Sequence, residues 1–77
     1  MMHVWVVLVK KVAGYSTSMN VSQEAYTDLE KAIKFVESRR STDEDCDSYW
    51  IDPFTFYVEG KVSNEFTKYV LKEVTIV

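Results

Sequence analysis

A run of apolar residues from Val4 to Val12 constrains this chain more than any other feature. With the two-residue period of a strand, Val4, Val6, Leu8 and Val12 point one way, and Trp5, Val7 and Val9 the other. A strand with water on one side alternates apolar and polar residues. This one is apolar on both sets, so His3 to Val12 is predicted to be a central strand with both faces covered. Lys10 and Lys11 mark where it reaches solvent.

The chain has 77 residues, which fits one domain spanning 1–77. A domain of this size buries only about 60% of the surface its unfolded chain exposes, so most of its apolar residues are needed for the core. At 47% hydrophobic residues, the composition supports a globular fold without disulfide or metal staples. The net charge of −3 is mild and supplies no basic surface for general nucleic-acid binding. Cys46 is the only cysteine, so no intrachain disulfide can form, and a reducing compartment fits. No apolar run approaches the ~20 residues of a membrane-spanning helix. The opening Met1-Met2-His3-Val4-Trp5 lacks the basic stretch of a signal peptide. A cytoplasmic location is the expectation.

After a turn at Ala13-Gly14, Tyr15 to Val21 reads as a short second strand or an ordered loop. An amphipathic helix of about four to five turns follows. Ser22 is its predicted N-cap, with Val21 and Tyr26 as a hydrophobic staple. Ala25, Leu29, Ala32 and Val36 form its apolar stripe, and Arg39 and Arg40 sit near the negative end of its dipole. A polar loop covers Ser41 to Ser48. Tyr49 to Glu59 reads as an aromatic-rich strand in which Pro53 suggests a bulge or an edge position. The last segment fits a strand or a helix. Its β-branched ending, Val74-Thr75-Ile76-Val77, favours the strand. The expected fold is therefore α+β: a small antiparallel or mixed sheet with one main helix on one face, in the order ββαββ.

Catalytic chemistry finds no foothold. The acids Asp43, Glu44, Asp45 and Asp47 begin like a calcium loop, but the glycine and closing glutamate such a loop needs are replaced by Ser48 and Phe54. No histidine lies near Cys46 in sequence to activate it as a nucleophile. His3 is the only histidine, and there is no glycine-rich phosphate loop or serine-nucleophile motif. No enzyme activity, metal or cofactor is expected.

Aromatics are the more informative signal. Most belong to the core, and those outside it are flanked by acids and aliphatics rather than by bases, which disfavours stacking on single-stranded nucleic acid. One helix can cover only one face of a small sheet, so the other face is expected to be an interface. Trp5 and Tyr57, with Trp50, are the expected anchors, assisted by Asp43, Glu44, Asp45 and Asp47. The partner would be another protein, either a second copy in a homodimer or a different chain.

The segment Val21-Ser22-Gln23-Glu24-Ala25-Tyr26, continuing to Ala32-Ile33-Lys34-Phe35-Val36, resembles the hairpin-then-helix opening of small phage and Gram-positive bacterial accessory proteins. The resemblance covers the first half of the chain and carries no functional residue. It implies a protein that binds and inhibits a host protein. Two other functions are consistent with the residues: an acidic nucleic-acid mimic that occupies a basic host site, and a structural or assembly component.

Overall fold

A computed structural model describes residues 2–21, 24–40, 42, 44–61 and 65–76. The Val-rich run forms β1 (Met2–Ala13), which turns at Gly14-Tyr15 into β2 (Ser16–Val21). Gly14 has a φ of 62° and no other described residue has a positive φ, which fits a two-residue type II′ hairpin turn with glycine at its first central position. One helix follows, α1 (Leu29–Glu37), then β3 (Cys46–Asp52), β4 (Thr55–Gly60) and β5 (Phe66–Ile76). All five strands join one antiparallel sheet in the order β2-β1-β5-β4-β3. β1 and β5 are the long central pair, aligned from Met2 opposite Ile76 to Val12 opposite Phe66.

The expected order ββαββ, with a main helix of four to five turns, is corrected on two counts. The aromatic-rich segment is two strands rather than one. Its chain reverses at Pro53-Phe54, where an Asp52 carboxylate oxygen accepts a hydrogen bond from the Phe54 amide at 2.8 Å. The irregularity expected from Pro53 appears as a register shift between Trp50 and Asp52. The helix is also shorter, at nine residues. Tyr26 exchanges two backbone hydrogen bonds with Trp5, at 2.6 and 2.8 Å, so the segment around it extends the edge of β1 instead of coiling. Asp28 is the N-cap and accepts from the Glu30 amide at 3.1 Å. The expected cap, Ser22, lies outside the described residues, and the staple residue Val21 ends β2. The C-terminal segment is a strand along its described length.

The core lies between α1 and one face of the sheet. Ala32 and Val36 of the helix meet Val7, Leu71 and Phe56 of the three central strands. Leu29, Ile33, Phe35, Trp5, Val9, Trp50, Val58 and Tyr69 pack around them. The C-terminal end of the helix is clamped to β3 and β4. Arg40 donates to the Ser48 carbonyl at 2.9 Å and stands over the Phe56 ring. Glu37 accepts from both Arg40 and the Trp50 indole.

Leu29 opens the helix rather than sitting mid-stripe, and it is only half-buried. Leu29→Asp should therefore cost about 1–2 kcal/mol, because some apolar burial is lost while the new charge lies at the positive end of the helix dipole. Cooperative urea unfolding with a lowered midpoint is the expected result.

Candidate functional site

Side-chain parity and strand register assign every sheet residue to a face. Val7, Leu71 and Phe56 face α1, so the alternate residues face away from it. Three rows of this second face can be read across the sheet. Val21, Leu8, Val70 and Thr55 form one, and Met19, Lys10, Lys68, Tyr57 and Tyr49 the next. Thr17, Val12, Phe66, Glu59 and Asp47 form the third. Toward the other end of β1, Val6, Val4 and Met2 pair with Lys72, Val74 and Ile76. The one helix among the described residues packs on the opposite side.

This helix-free face is mostly apolar. Val4 is buried, and Val6, Leu8, Val12, Phe66, Val70 and Tyr57 are half-buried. Met19, Val21, Tyr49, Val74 and Ile76 are exposed. The Tyr57 ring stands at 5.7 Å from Phe66 and edge-on to Tyr49 at 6.0 Å. This makes an aromatic group along one end.

Its charges are unevenly satisfied. The Tyr49 hydroxyl donates to Glu59 at 2.9 Å, and the bond to that carboxylate raises the tyrosine's pKa. Asp47 meets Lys61 at 3.6 Å. The lysines are different. Lys10 and Lys68 stand directly opposite one another across β1 and β5, and Lys72 lies on the same face of β5. None of the three makes a salt bridge among the described residues. Like charges directly opposite in a sheet are destabilising. The middle of an apolar face thus carries a repulsive cationic pair.

The residues expected from sequence divide between the two faces. Tyr57 and Asp47 lie on the helix-free face. Trp5 and Trp50 do not: both pack against the helix-side core. Trp5 stacks on Phe54 at 5.6 Å, and Trp50 lies 5.0 Å from Phe56. Glu44 and Asp45 are exposed in the turn before β3, where the Asp45 carbonyl accepts from the Lys61 amide at 2.7 Å. Asp43 lies outside the described residues. Sequence reasoning missed Tyr49, Phe66, Lys10, Lys68 and Lys72 as members of one surface. Alternation along β5 was the available signal for three of them.

No group of three or more potential metal ligands occurs among the described residues. Cys46 lines a cleft of about 130 Å³ with Lys11, Glu59 and Glu65. His3, near the far end of β1, contacts Thr75 and Glu73 instead. No helix among the described residues is long and apolar enough to cross a membrane.

Glu37 gives the helix clamp a pH dependence. Its hydrogen bond from Arg40, and then that from Trp50, hold its carboxyl below the usual carboxylate range. A carboxylate with a depressed folded pKa contributes stability above its unfolded pKa, and that contribution is lost as pH falls through the folded value. Glu37→Gln should therefore lower stability at neutral pH and flatten the acid limb of the stability–pH curve. The two proteins should converge once Glu37 is protonated, as read by urea unfolding at a series of pH values.

No protein-family model, curated protein or solved structure matches this chain.

Proposed function

We propose that this chain is a protein-binding module that acts through the helix-free face of its sheet. The partner is a protein with an apolar surface bearing carboxylates placed to meet Lys10, Lys68 and Lys72. The observation that carries this reading is the cationic couple, Lys10 opposite Lys68, without a salt bridge among the described residues and set among Val12, Leu8, Val70 and Tyr57. Such a pair costs stability in the free protein, and a partner's carboxylate would relieve it. Tyr57, Tyr49 and Phe66 would supply the aromatic contact area that concentrates binding energy. A small accessory protein that occupies and inhibits a host protein is the biological form that its resemblance implies.

The acidic-mimic reading gains less support. Asp47 is paired with Lys61, and Arg40 binds the Ser48 carbonyl beside it, so cations interleave with the acids. A mimic of a nucleic-acid backbone works by an uninterrupted acidic surface.

The test is retention of proteins from a bacterial lysate on immobilised wild-type chain and on Lys68→Glu. A specific protein held by wild type and lost from the folded variant supports the proposal. Identical retention by both would contradict it.

A further inference from the structure

The two edges of the sheet are built differently. β3 is a defended edge: it carries Asp47 and Asp52, breaks register after Trp50 and is followed directly by Pro53. Charges, bulges and proline are the devices by which edge strands avoid pairing with another chain. β2 has none of them. Ser16-Thr17-Ser18-Met19-Asn20-Val21 holds no charge, no proline and no register shift against β1. Every one of its residues is exposed, with Met19 at 69% and Val21 at 58%. The molecule is also extended. Its radius of gyration is 13.3 Å, against about 11.5 Å for a compact chain of this length.

We propose that β2 is a strand-pairing site whose occupant is the β2 strand of a second copy. The pairing is antiparallel about a two-fold axis perpendicular to the sheet and joins the two sheets into one of ten strands. This reading is independent of what binds the helix-free face. An antiparallel two-fold of this kind keeps both helices on the same side and requires residues of like parity to stand opposite. With the axis at Met19, Met19 meets its own copy, Thr17 meets Val21, and Ser18 meets Asn20. The face away from the helix then pairs Met19, Thr17 and Val21 across the junction, and the helix-side face pairs two small polar residues.

Charge favours a second copy as the occupant. An uncharged strand opposes no like charge when it meets itself. The nearest lysine in the row, Lys10, is then roughly 14 Å from its symmetry mate, three strand spacings away and beyond the screening length in physiological salt. Backbone hydrogen bonds carry the contact, so it should be insensitive to ionic strength.

The experiment is light scattering on the whole chain across concentration, in low and high salt. Wild type should reach the mass of two chains by roughly 100 µM, with no loss at high salt. Met19→Lys sets two like charges against each other at the axis and should give a monomer with an unchanged circular dichroism spectrum. Met19→Cys should form, under mild oxidation, a disulfide joining position 19 of two chains, because directly opposite strand residues lie within disulfide reach. Lys68→Glu should leave the dimer intact. A monomeric wild type at about 1 mM, or a dimer that survives Met19→Lys, would overturn the proposal. A dimer lost in Lys68→Glu and kept in Met19→Lys would assign self-association to the helix-free face instead.

Discussion

Phe56→Ala is expected to remove a large part of the protein's stability. Phe56 is the largest fully buried side chain among the described residues, and it sits where β4, β5 and α1 converge. Trp50 packs against it from β3, Tyr69 from β5, and the Arg40 guanidinium lies 5.0 Å from its ring centre. Truncating a buried phenylalanine costs about 3–5 kcal/mol. A chain of 77 residues has a total stability of roughly 4–12 kcal/mol. The fully buried part of this core is small, so the site has few neighbours with which to refill the space. Thermal unfolding followed by near-ultraviolet circular dichroism should show a broad transition or none. A sharp transition within a few degrees of wild type would place the centre of the core elsewhere.

The second large effect has two parts of opposite sign. Lys68→Glu replaces a like-charge pair with a Lys10–Glu pair in the same cross-strand position. Stability should rise by about 1 kcal/mol, from relief of repulsion and gain of attraction. That corresponds to a melting temperature higher by roughly 4–8 °C. Partner binding should fall by roughly 100-fold, because a partner's carboxylate would meet a carboxylate. A residue that weakens the fold and strengthens an interface has this signature. A variant that gained stability and kept full partner binding would mark the lysine pair as plain surface.

Single elements of this architecture could be read from the residues, but the order ββαββ with a long main helix could not be upheld. The doubly apolar pattern of Val4 to Val12 predicted a central strand covered on both faces; β1 has neighbours on both edges, but α1 packs only on its Val7 face. Of the predicted stripe Ala25, Leu29, Ala32 and Val36, the last three lie on the helical face that packs on the sheet, while Ala25 precedes the helix and is exposed. What could not be read is physical in origin. The backbone bonds between Tyr26 and Trp5 come from distant parts of the chain, and they override a local helix signal of caps and period. Pro53 suggests a bulge or an edge position, and β3 is an edge strand with a register shift between Trp50 and Asp52, but the chain also reverses at Pro53-Phe54, where one continuous strand was expected.

The candidate surface was half legible for a related reason. β1 is apolar on both faces, so its pattern alone does not say which face receives the helix, and Trp5 was expected on the wrong one. Tyr57 came out on the helix-free face, because β4 alternates and its parity is unambiguous. The Lys10–Lys68 juxtaposition joins residues 58 positions apart, and only the register of β1 against β5 brings them together.

The most direct measurement is lysine labelling of the chain, free and bound to the protein that it retains from lysate. Acylation at each lysine would be read by mass spectrometry. The account predicts that Lys10, Lys68 and Lys72 are protected in the complex, while Lys31 and Lys34, exposed on the outer surface of α1, label at their free rate. Protection of Lys31 and Lys34 with Lys10 and Lys68 unchanged, or failure to retain any protein, would contradict it.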